Sequence, residues 1–174
     1  MIRVFETDLG WMGVAVSGGK IQRVVLPLSE RRAVQWELRN CGEGGIEGKR
    51  DKLLADRLEQ DLKCHMAGNP VDYSEYILDT RSYSQFRVAV WDLVRLIPFG
   101  DTRSYKEIAA EIGHSDSARA VGAAMGANPF PPIVPCHRVV GSDGSLTGFS
   151  RGLSLKQQLL ELEQQQKTAN QRNV

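Results

Sequence analysis

The stretch Asn128-Pro129-Phe130-Pro131-Pro132-Ile133-Val134-Pro135 leaves the backbone few conformations. Each proline locks its own φ and pushes the residue before it towards extended geometry, so the run reads as a stiff connector. It delivers the chain, by a strand-like entry at Val134-Pro135, to Cys136-His137-Arg138. Val139-Val140 reads as another short extended piece, and Gly141-Ser142-Asp143-Gly144 turns the chain. A thiol on so constrained a loop, beside an imidazole and a guanidinium, suits a nucleophile. A buried structural cysteine is the plain alternative, since free cysteine is among the most buried residue types.

The chain has 174 residues and a formal net charge of +1, room for one ample core or two small ones and no large basic field for nucleic acid. Its three cysteines, Cys41, Cys64 and Cys136, lack the spacing of a disulfide framework, and Met1-Ile2-Arg3-Val4 opens no secretory signal. Both features point to a reducing, intracellular compartment. No apolar run approaches a membrane span, so no membrane partner is expected. Cys64-His65 with Cys41 invites a metal reading, but the spacing matches no structural zinc pattern, and neither metal nor cofactor is expected.

An α+β chain with two domains follows from the periodicity. Ile2–Phe5, Met12–Val16 and Ile21–Leu26 read as a small antiparallel sheet with a hairpin turn at Ser17-Gly18-Gly19-Lys20 and an end at Pro27. A polar helix opens at Ser29 and carries Val34, Trp36 and Leu38. The glycine-rich stretch Cys41–Gly48 reads as a surface loop without the Lys-Ser/Thr of a phosphate loop. Asp51–Met66 has helical spacing, with Leu53, Leu54, Leu58, Leu62 and Met66 on one face, and Val71–Leu78 reads as a strand. The first domain is placed at residues 1–80, the second at 84–165, and a frayed tail at 166–174.

The second domain is mostly helical. Ser84 caps a helix burying Phe86, Val90, Trp91, Val94 and Ile97, and Pro98-Phe99-Gly100 stops it. Ser104 caps the next helix, Tyr105–Ile112, and His114-Ser115-Asp116-Ser117 leads into Ala118–Ala127, forming a helix-turn-helix. The last of these helices carries almost only tiny side chains, with Arg119 as its one long polar group. Val121 and Met125 are expected to face inward. Close helix packing explains small residues on that side, whereas a small outer side suits approach to a nucleic-acid backbone. One arginine among alanines fits sequence-independent minor-groove contact better than base reading in the major groove. Ser154 to about Gln165 reads as a final helix burying Leu155, Leu159, Leu160 and Leu162.

The run Pro135-Cys136-His137-Arg138-Val139 resembles the active-site motif of the 6-O-alkylguanine-DNA alkyltransferases, also called methylated-DNA–protein-cysteine methyltransferases. Val90-Trp91, Ile97-Pro98-Phe99-Gly100, Ser104-Tyr105, Arg119-Ala120-Val121-Gly122, Asn128-Pro129, Thr147-Gly148-Phe149-Ser150, Gly152-Leu153 and Lys156 agree in order and spacing. The resemblance covers about half the chain, Phe86 to Glu163. It implies a ribonuclease H-like N-terminal domain and a winged helix-turn-helix-like C-terminal one. It also implies a monomer acting on alkylated double-stranded DNA with little sequence preference, in the cytoplasm or on a nucleoid. The family moves the alkyl group of 6-O-alkylguanine, and of 4-O-alkylthymine, from a flipped base onto its own cysteine and is consumed.

By matching position, the resemblance makes Cys136 the acceptor, His137 its base through a water, Glu163 the group orienting His137, and Asn128 a hinge. Tyr105 is then the proton donor to the guanine. Val139, Phe149, Ser150, Pro131 and Tyr105 line the pocket, while Arg119, Ser117, Ala118, Ala120, Gly122 and Ala123 meet DNA. The chemistry is consistent with those roles. Displacing a guanine oxygen from carbon needs a soft nucleophile, and a thiol of pKa ~8.5 is only slightly ionised at neutral pH, so a base is required. In an extended segment His137 and Cys136 point to opposite sides, which fits a relay through water. Two departures stand out: Phe149 replaces a tyrosine common in the family, and Arg87 replaces a glutamine. An alkyltransferase-like binder would lack Cys136. A cysteine hydrolase would leave the helix-turn-helix and Arg119 without a purpose, and a DNA-binding regulator would leave the thiol without one.

Overall fold

A computed structural model describes residues 1–41, 48–113 and 117–172, with side chains through 169. Most of the glycine-rich loop, and the His114-Ser115-Asp116 part of the connection between the two short helices, lie outside the described residues. The chain divides into two compact units: Met1–Ser82 with Pro129–Pro132, and Tyr83–Asn128 with Ile133–Val174.

In the first unit, strands β1 (Ile2–Thr7), β2 (Gly10–Ser17) and β3 (Lys20–Leu28) form an antiparallel sheet in the order β1-β2-β3. Gly18 and Gly19 close the β2–β3 hairpin with φ of +59° and +73°, the sign a type I′ turn needs at both central residues. Every residue of β2 from Met12 to Val16 is buried, so both faces of the central strand are covered. Helix α1 (Arg31–Leu38) lays Val34 and Leu38 on Ala15 and Val25. Trp36 departs from the expected pattern: it is 64% exposed, with the Arg39 guanidinium 3.7 Å from its ring centre. Pro27 lies inside β3 rather than ending it. This is an edge strand, and its ladder is irregular between Trp11 and Gly13, where a missing N–H breaks no regular pair.

Helix α2 (Lys49–Met66) buries Ala55, Leu58, Leu62, His65 and Met66, whereas Leu53 is exposed. Its buried first-turn residue Asp51 accepts hydrogen bonds from the backbone N–H groups of Gly19 at 2.7 Å and Gly18 at 3.1 Å. One carboxylate thus ties the helix start to the hairpin. Asp51→Ala leaves two backbone donors without this acceptor, and we expect a loss of about 1–3 kcal/mol of unfolding free energy in a urea titration. A change below about 0.5 kcal/mol, the range of an ordinary surface substitution, would show that the tie is dispensable.

The strand expected over Val71–Leu78 is absent; only an isolated bridge joins Leu78 to Ile21. Local hydrogen bonds turn the chain instead. The Asp72 carboxylate accepts from Ser74 N–H at 2.8 Å, and Tyr76 N–H donates to the Tyr73 carbonyl at 3.2 Å. Pro129–Pro132 belongs to this unit, with Val24 N–H donating to the Pro129 carbonyl at 2.8 Å.

In the second unit, α3 (Gln85–Val94) is capped by Ser84, and α4 (Tyr105–Glu111) starts with a capping box between Ser104 and Glu107. α5 (Ala118–Gly126) completes the helix pair, burying Val121, Ala124 and Met125. Trp91 on α3 donates its indole N–H to the Ala124 carbonyl at 2.9 Å, which fixes α5 against α3. A two-stranded parallel ladder, β4 (Arg103–Ser104) with β5 (Val139–Val140), sets the start of α4 beside the chain leaving Cys136. Two residues are too few to show a period, so the sequence carries no sign of β4.

The last helix, α6, runs from Leu153 to Arg172, past the expected stop near Gln165. Lys167 explains the extension: its ammonium pairs with Asp101, and its methylenes lie against Gly100. Among the described residues no helix is long and apolar enough to cross a membrane.

Candidate active site

Cys136 begins a 3₁₀ turn, Cys136–Arg138, and the strand-like entry expected before it is a turn as well. Pro135 has φ −78° and ψ 66°, and Cys136 N–H donates to the Val134 carbonyl at 2.8 Å, which is an inverse γ-turn. Proline's fixed φ favours that conformation as readily as a strand, so the rigidity follows from sequence but its direction does not. The side chains of Cys136 and His137 are therefore separated by about the 120° of a three-residue turn, not the opposition of a strand. The Val134 carbonyl also accepts from Asn128 Nδ2 at 2.9 Å. Asn128, just beyond α5, thereby ties the cysteine turn to the end of that helix.

Cys136 is buried. Burial pushes its thiol above the ordinary value, while a hydrogen bond with the Asn128 side chain and the nearby Lys156 ammonium act in the other direction. The resting group is a thiol that needs a base.

His137, Arg138 and Glu163 are all buried. The Glu163 carboxylate faces His137 Nε2 at 2.8 Å and accepts from Arg138 Nε at 2.9 Å, Arg138 Nη2 at 2.9 Å and Gly100 N–H at 3.0 Å. Arg138 also donates through Nη1 to the Ile97 carbonyl at 2.7 Å. Donors converging in this way call for an ionised, acceptor-only carboxylate. The His137 hydrogen then sits on Nε2, which in a neutral ring leaves Nδ1 as the basic nitrogen. Gly100 can take part because its φ is +75° and a Cβ there would lie 2.9 Å from Lys167 Cδ. Arg138 is a member of this network that its motif position alone does not reveal.

Tyr105, the first residue of α4, directs its hydroxyl to the Thr147 carbonyl at 3.0 Å and lies 3.4 Å from that of Gly148. Burial pushes the phenol pKa upward. Lys156, on α6, is fully buried and donates through Nζ to the carbonyls of Val139 at 2.6 Å and Thr147 at 2.8 Å, with the Tyr105 hydroxyl at 3.5 Å. Burial pushes this amine below the ordinary lysine range, opposed by the Cys136 thiolate. The sequence does hold a signal for Lys156 as a site residue. Lys156, Leu159 and Glu163 are all buried and share one helical stripe, so the two charges sit where apolar side chains belong.

Among the other expected site residues, Val139 is buried, Phe149 half-buried and Ser150 exposed. Pro131 is buried at a cis bond to Pro132 and belongs to the first unit. On α5, Arg119, Ala120 and Ala123 are exposed, whereas Ser117 and Ala118 at its start are half-buried. Gly122 turns partly inward, since a Cβ there would lie 3.9 Å from the Tyr105 ring. The three residues of the metal reading separate in exposure: Cys64 is exposed and its neighbour His65 buried, while Cys41 packs beside the cluster under α1.

Residues 85–165 match the family model described as 6-O-methylguanine DNA methyltransferase, DNA binding domain. The methylated-DNA–protein-cysteine methyltransferase of Mycolicibacterium paratuberculosis is 45% identical over 119 residues, 68% of this chain and 70% of that protein. The crystal structure of Mycobacterium tuberculosis OGT in complex with DNA is 33% identical with a TM-score of 0.75, covering 94% of this chain and 92% of that one. The O6-methylguanine-DNA methyltransferase of Pyrococcus kodakaraensis is 25% identical with a TM-score of 0.71, covering 94% and 99%.

Proposed function

Because the chain belongs to the methylated-DNA–protein-cysteine methyltransferase family, we propose that it removes alkyl groups from 6-O-alkylguanine in double-stranded DNA by taking them onto Cys136. The observation that carries this reading is the buried thiol on a tied-down turn, followed directly by an imidazole whose Nε2 faces a carboxylate. Cys136 Sγ attacks the alkyl carbon, its proton passes to His137 through a water, and Glu163 stabilises the imidazolium that forms. The carbon–oxygen bond breaks, its electrons enter the purine, and Tyr105 supplies a proton to the departing ring. The thioether product is inert, so each chain reacts once. Val139, Phe149 and Ser150 wall the base pocket, and 4-O-alkylthymine is a second substrate. No step calls for a metal or cofactor.

The α4–α5 pair is the DNA-binding element. Its exposed α5 face combines one arginine with Ala120 and Ala123, which supports shallow minor-groove contact with little sequence preference. The protein acts as a monomer in the cytoplasm. An alkyltransferase-like lesion binder is disfavoured by the presence of Cys136.

The test is incubation with a duplex carrying 6-O-methylguanine, followed by intact mass measurement. One added methyl group per chain is expected, on the peptide containing Cys136; an unchanged mass would refute the reading.

A further comparison separates two residues of the site. Arg119 replaces lost stacking after the base has left, and flipping costs a few kcal/mol. Arg119→Ala is therefore expected to slow duplex repair by roughly tenfold or more while hardly affecting free 6-O-benzylguanine. Tyr105→Phe removes the proton donor and slows both. Equal slowing of duplex and free base by Arg119→Ala, in single-turnover measurements, would remove the flipping role.

A further inference from the structure

We infer that Lys156 is a positioning residue that lets Tyr105 change hydrogen-bond partners during transfer, and that it then stabilises the phenolate left behind. The inference rests on the alkyltransferase reading above.

In the structure the phenol proton is already committed. Tyr105 has a single O–H, and at 3.0 Å its acceptor is the Thr147 carbonyl. To protonate a purine, this hydroxyl must give up that carbonyl, which then loses one of its donors. Lys156 removes the difficulty because its Nζ already donates to the same carbonyl at 2.8 Å. Three oxygens surround this nitrogen, those of Val139, Thr147 and the Tyr105 hydroxyl, matching the three N–H groups of an ammonium. The contact to the phenol oxygen is the longest of the three, at 3.5 Å. It has room to shorten as that oxygen gains negative charge.

The step balances as follows. The Cys136 sulfur–carbon bond forms, the carbon–oxygen bond breaks, and the electron pair of the broken bond enters the purine. The Tyr105 proton moves to a purine nitrogen, and the phenolate accepts a hydrogen bond from Lys156 Nζ. The thiol proton, held on His137, returns to Tyr105 through solvent. Burial raises the phenol pKa and so makes this donor reluctant, and the Lys156 Nζ 3.5 Å away favours the phenolate once the proton has left.

Lys156 also lies close enough to assist the Cys136 thiolate, so its two roles must be separated. Iodomethane provides the separation, because iodide leaves without a proton. Rates of Cys136 alkylation by 6-O-benzylguanine and by iodomethane are measured on the Cys136 peptide, for wild type and Lys156→Met, with and without Tyr105→Phe. Lys156→Met is expected to slow benzyl transfer roughly ten- to hundredfold more than it slows iodomethane, the range of a charge-assisted hydrogen bond. That excess should vanish once Tyr105 is phenylalanine. If the Met variant does not fold, Lys156→Gln keeps an N–H for a carbonyl and removes only the charge, with the same dependence on Tyr105 expected. An excess of the same size in the Tyr105→Phe background, or no excess with Tyr105 present, would overturn the inference. Failure of the wild-type protein to take the benzyl group would instead overturn the alkyltransferase reading beneath it.

Discussion

Cys136→Ala is expected to abolish methyl uptake completely while lesion binding stays within severalfold of wild type. The loss is total because no other group on the cysteine turn is a comparable nucleophile, and the reaction requires sulfur at that point. Binding survives because backbone and Asn128 hold the turn. Val134 O accepts from the Cys136 N–H and from Asn128 Nδ2, and Pro135 keeps its φ, none of which involves the sulfur. Intact mass after incubation with methylated duplex checks the first half, and fluorescence anisotropy with the same duplex checks the second. Two further thiols make the experiment discriminating. Cys64 is exposed and Cys41 half-buried, so a reaction driven by accessibility alone would mark Cys64 first. Methyl groups on Cys64 in place of Cys136 would end the assignment.

Glu163→Gln has the largest expected effect on stability. Its carboxylate is the buried partner of the Arg138 guanidinium, with side-chain exposures of 1% and 9%. Removing one member of such a pair leaves the other charge buried and uncompensated, at a cost of about 3–5 kcal/mol. Against a whole-domain stability of about 5–15 kcal/mol, this brings the second unit close to unfolding. A urea titration reads the loss directly. Adding Arg138→Met to Glu163→Gln should restore part of the stability, because the stranded charge is gone. It should leave alkyl transfer slow, because His137 still lacks its carboxylate. A Glu163→Gln protein within about 1 kcal/mol of wild type would show that the carboxylate is not the keystone of this network.

Much of the site follows from local chemistry that a sequence carries by itself. Ser84 and Ser104 cap their helices through their own hydroxyls, and the Gly18-Gly19 turn follows from the φ that only glycine adopts freely. The inward side of α5 follows from its spacing, with Val121 and Met125 buried and Arg119 exposed. Cys136 beside His137 is adjacent in the chain, so a thiol with a nearby imidazole needs no tertiary structure to be suspected.

Tertiary structure decided what depends on partners distant in sequence. Glu163 lies 26 residues from His137 and 63 from Gly100, and neither helical period nor spacing says that one carboxylate collects donors from both. Lys156 meets Tyr105 across 51 residues, and its burial only makes sense once three oxygens are found around it. Pro135 shows the limit within a single residue: its ring restricts φ, while ψ is left to its surroundings. Here the carbonyl of Val134, held by Asn128, turned an expected strand into the γ-turn that presents the thiol. The extension of α6 has the same origin, since a polar, glutamine-rich segment has no reason to stay helical until Lys167 finds Asp101 and Gly100.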